Sequence, residues 1–282
     1  MYSFLTINIG VDKMDEYNDY LKFAKEIANY AGKTMIKYFN QDNGQKYKGD
    51  KTVVTLADTE INSYLVKKVK EKYPTHAVDG EEEQFGKSNY LWVCDPVDGT
   101  AMYARHIPTA VFSLALVVDG ESVLGVVYDP FTDSLYTGVK GQGAYCNNKK
   151  ISVNNYKLND KESVIHIDTW PTADYQLMDV YKELGKQTYM VNIGSIVRSC
   201  ICVAKGDFTL AVFPGTKHRN CDIAAVKIIV EEAGGKVTDI FGEDQRYDQD
   251  INGAIVSNSI IHDEVVREIK KQLIQNNKDL LL

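Results

Sequence analysis

No two of the five cysteines (Cys94, Cys146, Cys200, Cys202 and Cys221) form a CxxC pair, and their number is odd. This speaks against a disulfide framework or a zinc knuckle and points to free thiols in a reducing cytosol. The five histidines show no HExxH or similar spacing, which leaves a zinc site without support. No apolar run approaches the roughly 18 residues of a membrane span, and the N-terminus lacks a basic segment followed by an apolar core. The expectation is a soluble, unexported, cytoplasmic protein. A basic stripe is also missing. The net charge is -7, against a nucleic-acid or membrane-surface binder. There is no GxxxxGK[ST] loop, so phosphotransfer of the Walker type has no signature. Long linkers, low-complexity segments and internal repeats are absent too.

What remains is an ordinary globular composition, 44% hydrophobic and 25% charged over 282 residues, enough for a large core. Tyr17, Leu21, Ala24, Ala28, Ala31 and Met35 recur at helical spacing and predict a helix over 14–39. A second helix is expected after Asp58, stopped by Pro74. Beyond residue 110, runs rich in Val, Leu and Tyr broken by Asp-Gly, Asp-Pro and Gly-Gln-Gly read as an antiparallel meander. From about residue 160, strands (163–167, 208–213, 253–257) alternate with helices (174–184, 194–205, 223–233 and from 262). The pattern predicts an α+β protein of two packed layered halves, 14–160 and 161–282, behind a loosely ordered extension at 1–13.

Four acidic positions sit at element boundaries: Glu81 after an apolar run, Asp95 and Asp98 at a strand end, and Asp222 at a helix start. Strand ends and helix starts are where α/β architectures put ligand groups. Carboxylates brought together repel unless cations neutralise them, and an all-oxygen set suits Mg²⁺. In Asp95-Pro96-Val97-Asp98-Gly99-Thr100, the proline fixes the backbone so that both carboxylates and the Val97 carbonyl can face one side. Gly99 relieves crowding, the Gly99 and Thr100 amides can face a phosphate, and the Thr100 hydroxyl can orient a water. The set fits two-metal phosphoester hydrolysis. Each residue also has a plainer reading. Asp222 and Asp58 could cap their helices, Glu81 to Glu83 could be a solvated charge run, and Asp95-Pro96 could simply start a turn. Cys94, Cys221 and Trp92 read as core.

Gly80-Glu81-Glu82, Trp92 to Thr100, Cys221-Asp222-Ile223-Ala224-Ala225 and Glu232-Ala233-Gly234-Gly235 resemble the inositol monophosphatase family, over about residues 14 to 272. The resemblance implies a layered αβαβα sandwich and phosphomonoester hydrolysis with two or three Mg²⁺ ions. It also implies a small phosphorylated metabolite as substrate, a homodimer and lithium sensitivity. Carried over, Glu81 would bind the first metal and help activate water, and Asp95 would bridge two ions. Val97 would lend its carbonyl, and Asp98 and Asp222 would hold the second ion, with Asp98 also bordering the substrate. Thr100 would position the water, and Asp58 would join the outer network near a third ion. The Gly99 and Thr100 amides would hold the phosphate, and Gly194 would supply a backbone substrate contact. Gly215 stands where inositol-specific members keep an acidic ring contact, and Ile196 is bulkier than the small residue usual there. Lys217-His218-Arg219, three to five residues before Asp222, is either a solvated loop or a partner for a second anionic group, with Arg219 the bidentate candidate. The same core also serves histidinol phosphate and 3'-phosphoadenosine nucleotides in relatives, and a non-catalytic regulatory binding protein is the other-class alternative.

Overall fold

Two large β-sheets alternate with three helical layers, and among the described residues a third sheet has only two short strands. The computed structural model describes residues 5–41, 43–47, 53–170, 173–215 and 220–279, with side chains described within 16–274. The chain opens with α1 (Leu5–Phe39), β1 (Lys46–Tyr47), β2 (Val53–Val54) and α2 (Leu56–Lys72), then β3 (Ala77–Gly80), β4 (Gln84–Phe85), β5 (Tyr90–Asp98) and α3 (Thr100–Tyr103). The meander follows as β6 (Val111–Val118), β7 (Glu121–Asp129), β8 (Ser134–Val139), β9 (Gly143–Cys146) and β10 (Lys149–Lys150). The rest alternates: β11 (Val164–Ile167), α4 (Met178–Leu184), β12 (Tyr189–Met190), α5 (Ile196–Ala204) and β13 (Leu210–Phe213). It closes with α6 (Cys221–Glu232), β14 (Lys236–Thr238), β15 (Ala254–Ser257) and α7 (His262–Asp279).

The larger sheet runs β10-β9-β8-β7-β6-β5-β3-β4 and is antiparallel except for the β3–β5 pair. The smaller runs β12-β11-β13-β15-β14, with β11 parallel to both neighbours. Helices α1 and α2 cover one face of the larger sheet, α5 and α6 lie between the sheets, and α4 and α7 cover the far face of the smaller one. This is the αβαβα sandwich that the resemblance implied. Its five layers enclose three cores: α1 and α2 against the larger sheet, α5 and α6 between the two sheets, and α4 and α7 against the smaller. α6 is apolar on nearly every side because it packs against sheet on both. Ile229 is fully buried there, and Ile229→Ala would cost roughly 2–5 kcal/mol. Gly125 on β7 admits this helix closely: a Cβ there would stand 2.3 Å from the Ala225 carbonyl oxygen.

Some boundaries differ from the periodicity reading. α1 begins at Leu5 rather than near Met14, so residues 5–13 are helical backbone. Once an amphipathic nucleus exists, each added residue gains a hydrogen bond for little further ordering. α4 starts at Met178, after a loop tied by the Asp174 N–H to the Gly215 carbonyl (2.9 Å). All five cysteines are free, as expected, and burial pushes the Cys94 and Cys200 thiols up, which makes them inert core residues. No helix among the described residues is long and apolar enough to cross a membrane.

Candidate active site

β5 does not stop at Cys94, as a turn at Asp95-Pro96 would require; it continues through Asp98. Its pairing with β6 explains why two carboxylates three residues apart are useful there. Asp95 pairs with Ser113 and Asp98 with Val111, so three steps on β5 match two on β6. In a regular strand, residues i and i+3 point to opposite faces. The extra residue at Pro96-Val97 is a β-bulge, and it returns both carboxylates to one side. The proline, which lacks an N–H, sits where the ladder is already interrupted. The Val97 N–H closes the kink by donating to Asp95 Oδ1 (2.9 Å).

Asp222 meets this pair from the middle layer. One oxygen each of Asp95 and Asp222 and the Cys221 Sγ lie within 4.8 Å of one another, all in buried residues. Asp222 is not the helix cap; that position belongs to Asn220, whose amide donates to Asp79 Oδ2 (3.0 Å) and to the Tyr247 carbonyl (2.9 Å). Asp98 is held by the Ser195 hydroxyl and by the Val197 N–H (3.1 Å), both donating to Oδ2. Burial pushes the Asp98 carboxyl up to about 8, with the Asp222 charge acting in the same direction and the Ser195 bond opposing. Desolvated like charges brought close together are what a divalent cation neutralises, and the donor set is chiefly oxygen, as Mg²⁺ requires.

Gly99 links the motif to the second half of the chain. Its φ is +87°, and a Cβ would stand 2.9 Å from the Gly194 carbonyl oxygen. Only glycine satisfies both the left-handed backbone and this approach. After it, the Thr100 hydroxyl lies 2.8 Å from the Val97 carbonyl and 3.4 Å from Asp58 Oδ1, with the nearer acceptor favoured. Asp58 serves two purposes. Its Oδ2 accepts from the Thr55 N–H (2.8 Å) and the Thr55 hydroxyl (2.5 Å), as the carboxylate of a capping box, while Oδ1 faces Thr100. Burial raises its proton affinity, to a pKa of about 7, against the Thr55 bonds, and the nearby Glu81 and Glu82 charges add to the rise.

Glu81 is half-buried just past β3, its N–H donating to the Cys94 carbonyl (3.1 Å), and its charge reaches both Asp58 and Cys94. It lies outside the tight Asp95–Asp222 group. Glu82 and Glu83 belong to the support. Asn62 on α2 accepts from the Glu82 N–H (3.1 Å) and donates to the Glu83 carbonyl (3.0 Å). Asn62, Ser195 and Asn220 were not foreseen, since nothing local marks a polar residue whose partner is 20 to about 140 positions away. Lys217, His218 and Arg219 lie outside the described residues.

Residues 16–274 match the model of the inositol monophosphatase family. The chain belongs to that family. Among curated relatives, a protein of Thermotoga maritima named fructose-1,6-bisphosphatase/inositol-1-monophosphatase is 29% identical over 92% of this chain and 97% of its own. A protein of the same name from Aquifex aeolicus is 30% identical, covering 92% and 98%. The solved structure of a Thermotoga maritima IMPase superposes with a TM-score of 0.81 at 29% identity, over 92% of this chain and 99% of the other. Family membership accounts for the shared fold. It leaves the substrate wall to be read from this chain's own residues.

Proposed function

We propose that this family member is a Mg²⁺-dependent phosphomonoesterase acting on a small polyol or sugar phosphate. The observation that carries the reading is the meeting of buried Asp95 and Asp222 oxygens beside the β5 bulge, with buried Asp98 near enough to feel the Asp222 charge. Asp95, Asp98 and Asp222, with Glu81 and the Val97 carbonyl, would hold the metal. Bound there, Mg²⁺ supplies a low-pKa water and neutralises charge on the phosphate oxygens. The chain's own residues do the rest. Thr100 Oγ1 stands between the Val97 carbonyl and Asp58, so its lone pairs can accept from an attacking water while its proton stays on one of the two acceptors. The Gly99 and Thr100 amides receive the phosphate, with the Gly194 backbone on the far side. Ser195 and the Val197 N–H fix the Asp98 rotamer, so the site is set before substrate arrives.

The names carried by the Thermotoga and Aquifex relatives support both an inositol monophosphate and a sugar bisphosphate as test compounds. The experiment is a phosphate-release assay on inositol 1-phosphate, fructose 1,6-bisphosphate, histidinol phosphate and a 3'-phosphoadenosine nucleotide, with and without Mg²⁺. Turnover is expected only with the metal, with Ca²⁺ inhibiting. Full activity in excess chelator would overturn the metal assignment.

A further inference from the structure

Beyond the proposed metal ligands, one more carboxylate lies near enough to this site for its charge to reach Asp98. Asp168 is the first residue past β11, and its N–H donates to the Val212 carbonyl of β13 (3.0 Å), so it continues the strand. β11 and β13 are parallel, so Asp168 emerges at the same sheet end as Phe213, from which the chain leads on to Asp222. Strand ends of this kind line ligand crevices.

The side chain is held, not adrift. Asp168 Oδ1 accepts from the Asn192 amide (3.3 Å) and lies 2.9 Å from Nε2 of His166, which is fully buried. That second contact is close but off the line of a hydrogen bond, and Nε2 has no aligned partner among the described residues. It therefore backs Asp168 by close packing. The other ring nitrogen of His166 meets the Ser199 hydroxyl (3.1 Å), which also bonds the Ser195 carbonyl (2.8 Å), and Ser195 holds Asp98. A continuous polar string thus joins Asp168 to the metal-site carboxylate. Asn192 ties it to the other side of the site as well, because its Oδ1 accepts from the Gly194 N–H (2.9 Å). Nearness shows in the electrostatics: the Asp168 charge adds to the rise in Asp98 proton affinity.

Asp168 is 18% exposed, and Oδ2 has no partner among the described residues. A fixed carboxylate with one outward oxygen is an acceptor for hydroxyl groups. We propose that Asp168 is a specificity-determining residue whose outward oxygen accepts a hydroxyl of the substrate's alcohol portion, with His166 and Asn192 as its positioning residues. The inference rests on the phosphomonoesterase reading and adds to it a preference for hydroxyl-bearing esters.

The test compares inositol 1-phosphate with phenyl phosphate, which offers no hydroxyl, in the Mg²⁺-loaded wild type, Asp168→Ala and Asp168→Asn. Loss of a hydrogen bond to a charged group should lower kcat/KM on inositol 1-phosphate by roughly 10- to 100-fold more than on phenyl phosphate in Asp168→Ala. Asp168→Asn, which keeps one acceptor oxygen, should recover part of that difference and shows the effect even if the alanine variant fails to fold. Asn192→Ala should raise KM for inositol 1-phosphate more than it lowers kcat. Equal losses on both esters, or none on inositol 1-phosphate, would overturn the role of Asp168 while leaving the phosphatase reading standing. A wild type inert on both esters would overturn that reading and this inference with it.

Discussion

At the scale of single residues, the site separates groups that touch the chemistry from groups that hold them. Asp95→Asn removes charge from the pair that the bulge brings together, and is expected to abolish turnover in a phosphate-release assay. Asp222→Asn should weaken Mg²⁺ binding in calorimetric titration and shift the melting temperature of the metal-free protein by no more than about 4 °C, because Asn220 holds the cap position. A large fall in melting temperature with activity spared would return Asp222 to a purely structural role. Thr100→Val should cut kcat by roughly a hundredfold and leave KM nearly unchanged, since in the proposed reaction the hydroxyl acts on water rather than phosphate. Unchanged turnover would remove Thr100 from the catalytic group.

At the scale of elements, the family motifs divide by task. Glu232, the acidic residue of the downstream motif, accepts from the Gly141 N–H (2.6 Å) and the Gly143 N–H (2.7 Å) and so fastens the β8–β9 turn to the end of α6. Glu232→Ala is expected to destabilise by about 1–2 kcal/mol in urea unfolding, with kcat on inositol 1-phosphate retained. A loss of activity without loss of stability would refute this division. The same elements show how far the sequence could be read. The helical stripes of α1, α2 and α6 and the strand-rich meander were legible because burial imposes period on long segments. The two-residue β12 left no period to find, and β14 is scarcely longer. The placement of Glu81, Asp95, Asp98 and Asp222 near element boundaries was legible, but the bulge was not. A bulge is a mismatch between two strands, and a single strand's sequence does not contain its partner's register. Ser195 and Asn62 were hidden for the same reason: their partners are fixed by tertiary packing.

At the scale of the whole molecule, folding buries carboxylates that repel one another, so a bound divalent ion should count directly toward stability. Mg²⁺ at a hundredfold over its Kd would add about 2.7 kcal/mol, seen as a rise in melting temperature that Asp95→Asn diminishes. No rise in the wild type would contradict a metal site here. A second prediction concerns acid. His262 is fully buried between the Ser257 hydroxyl (2.8 Å) and the Thr238 hydroxyl (2.9 Å), and burial holds its pKa down to about 4. In the unfolded chain it takes up a proton near its ordinary value of about 6.5. Its contribution is therefore present above that pH and is lost as pH falls toward about 4. The stability difference between wild type and His262→Gln should shrink from pH 7 to pH 5 in thermal melts. A constant difference would refute the assignment. The position of α6 between the two sheets has a further consequence, in time rather than space. Amides shielded on both sides exchange with deuterated water only through the rarest openings, whereas the four-residue α3 is too short to protect its own. Asp222 thus rides on an element expected to exchange slowly, and Thr100 on one expected to exchange quickly. Under the proposed function, the chain would carry part of its metal-binding charge on the slow clock and its water-orienting hydroxyl on the fast one.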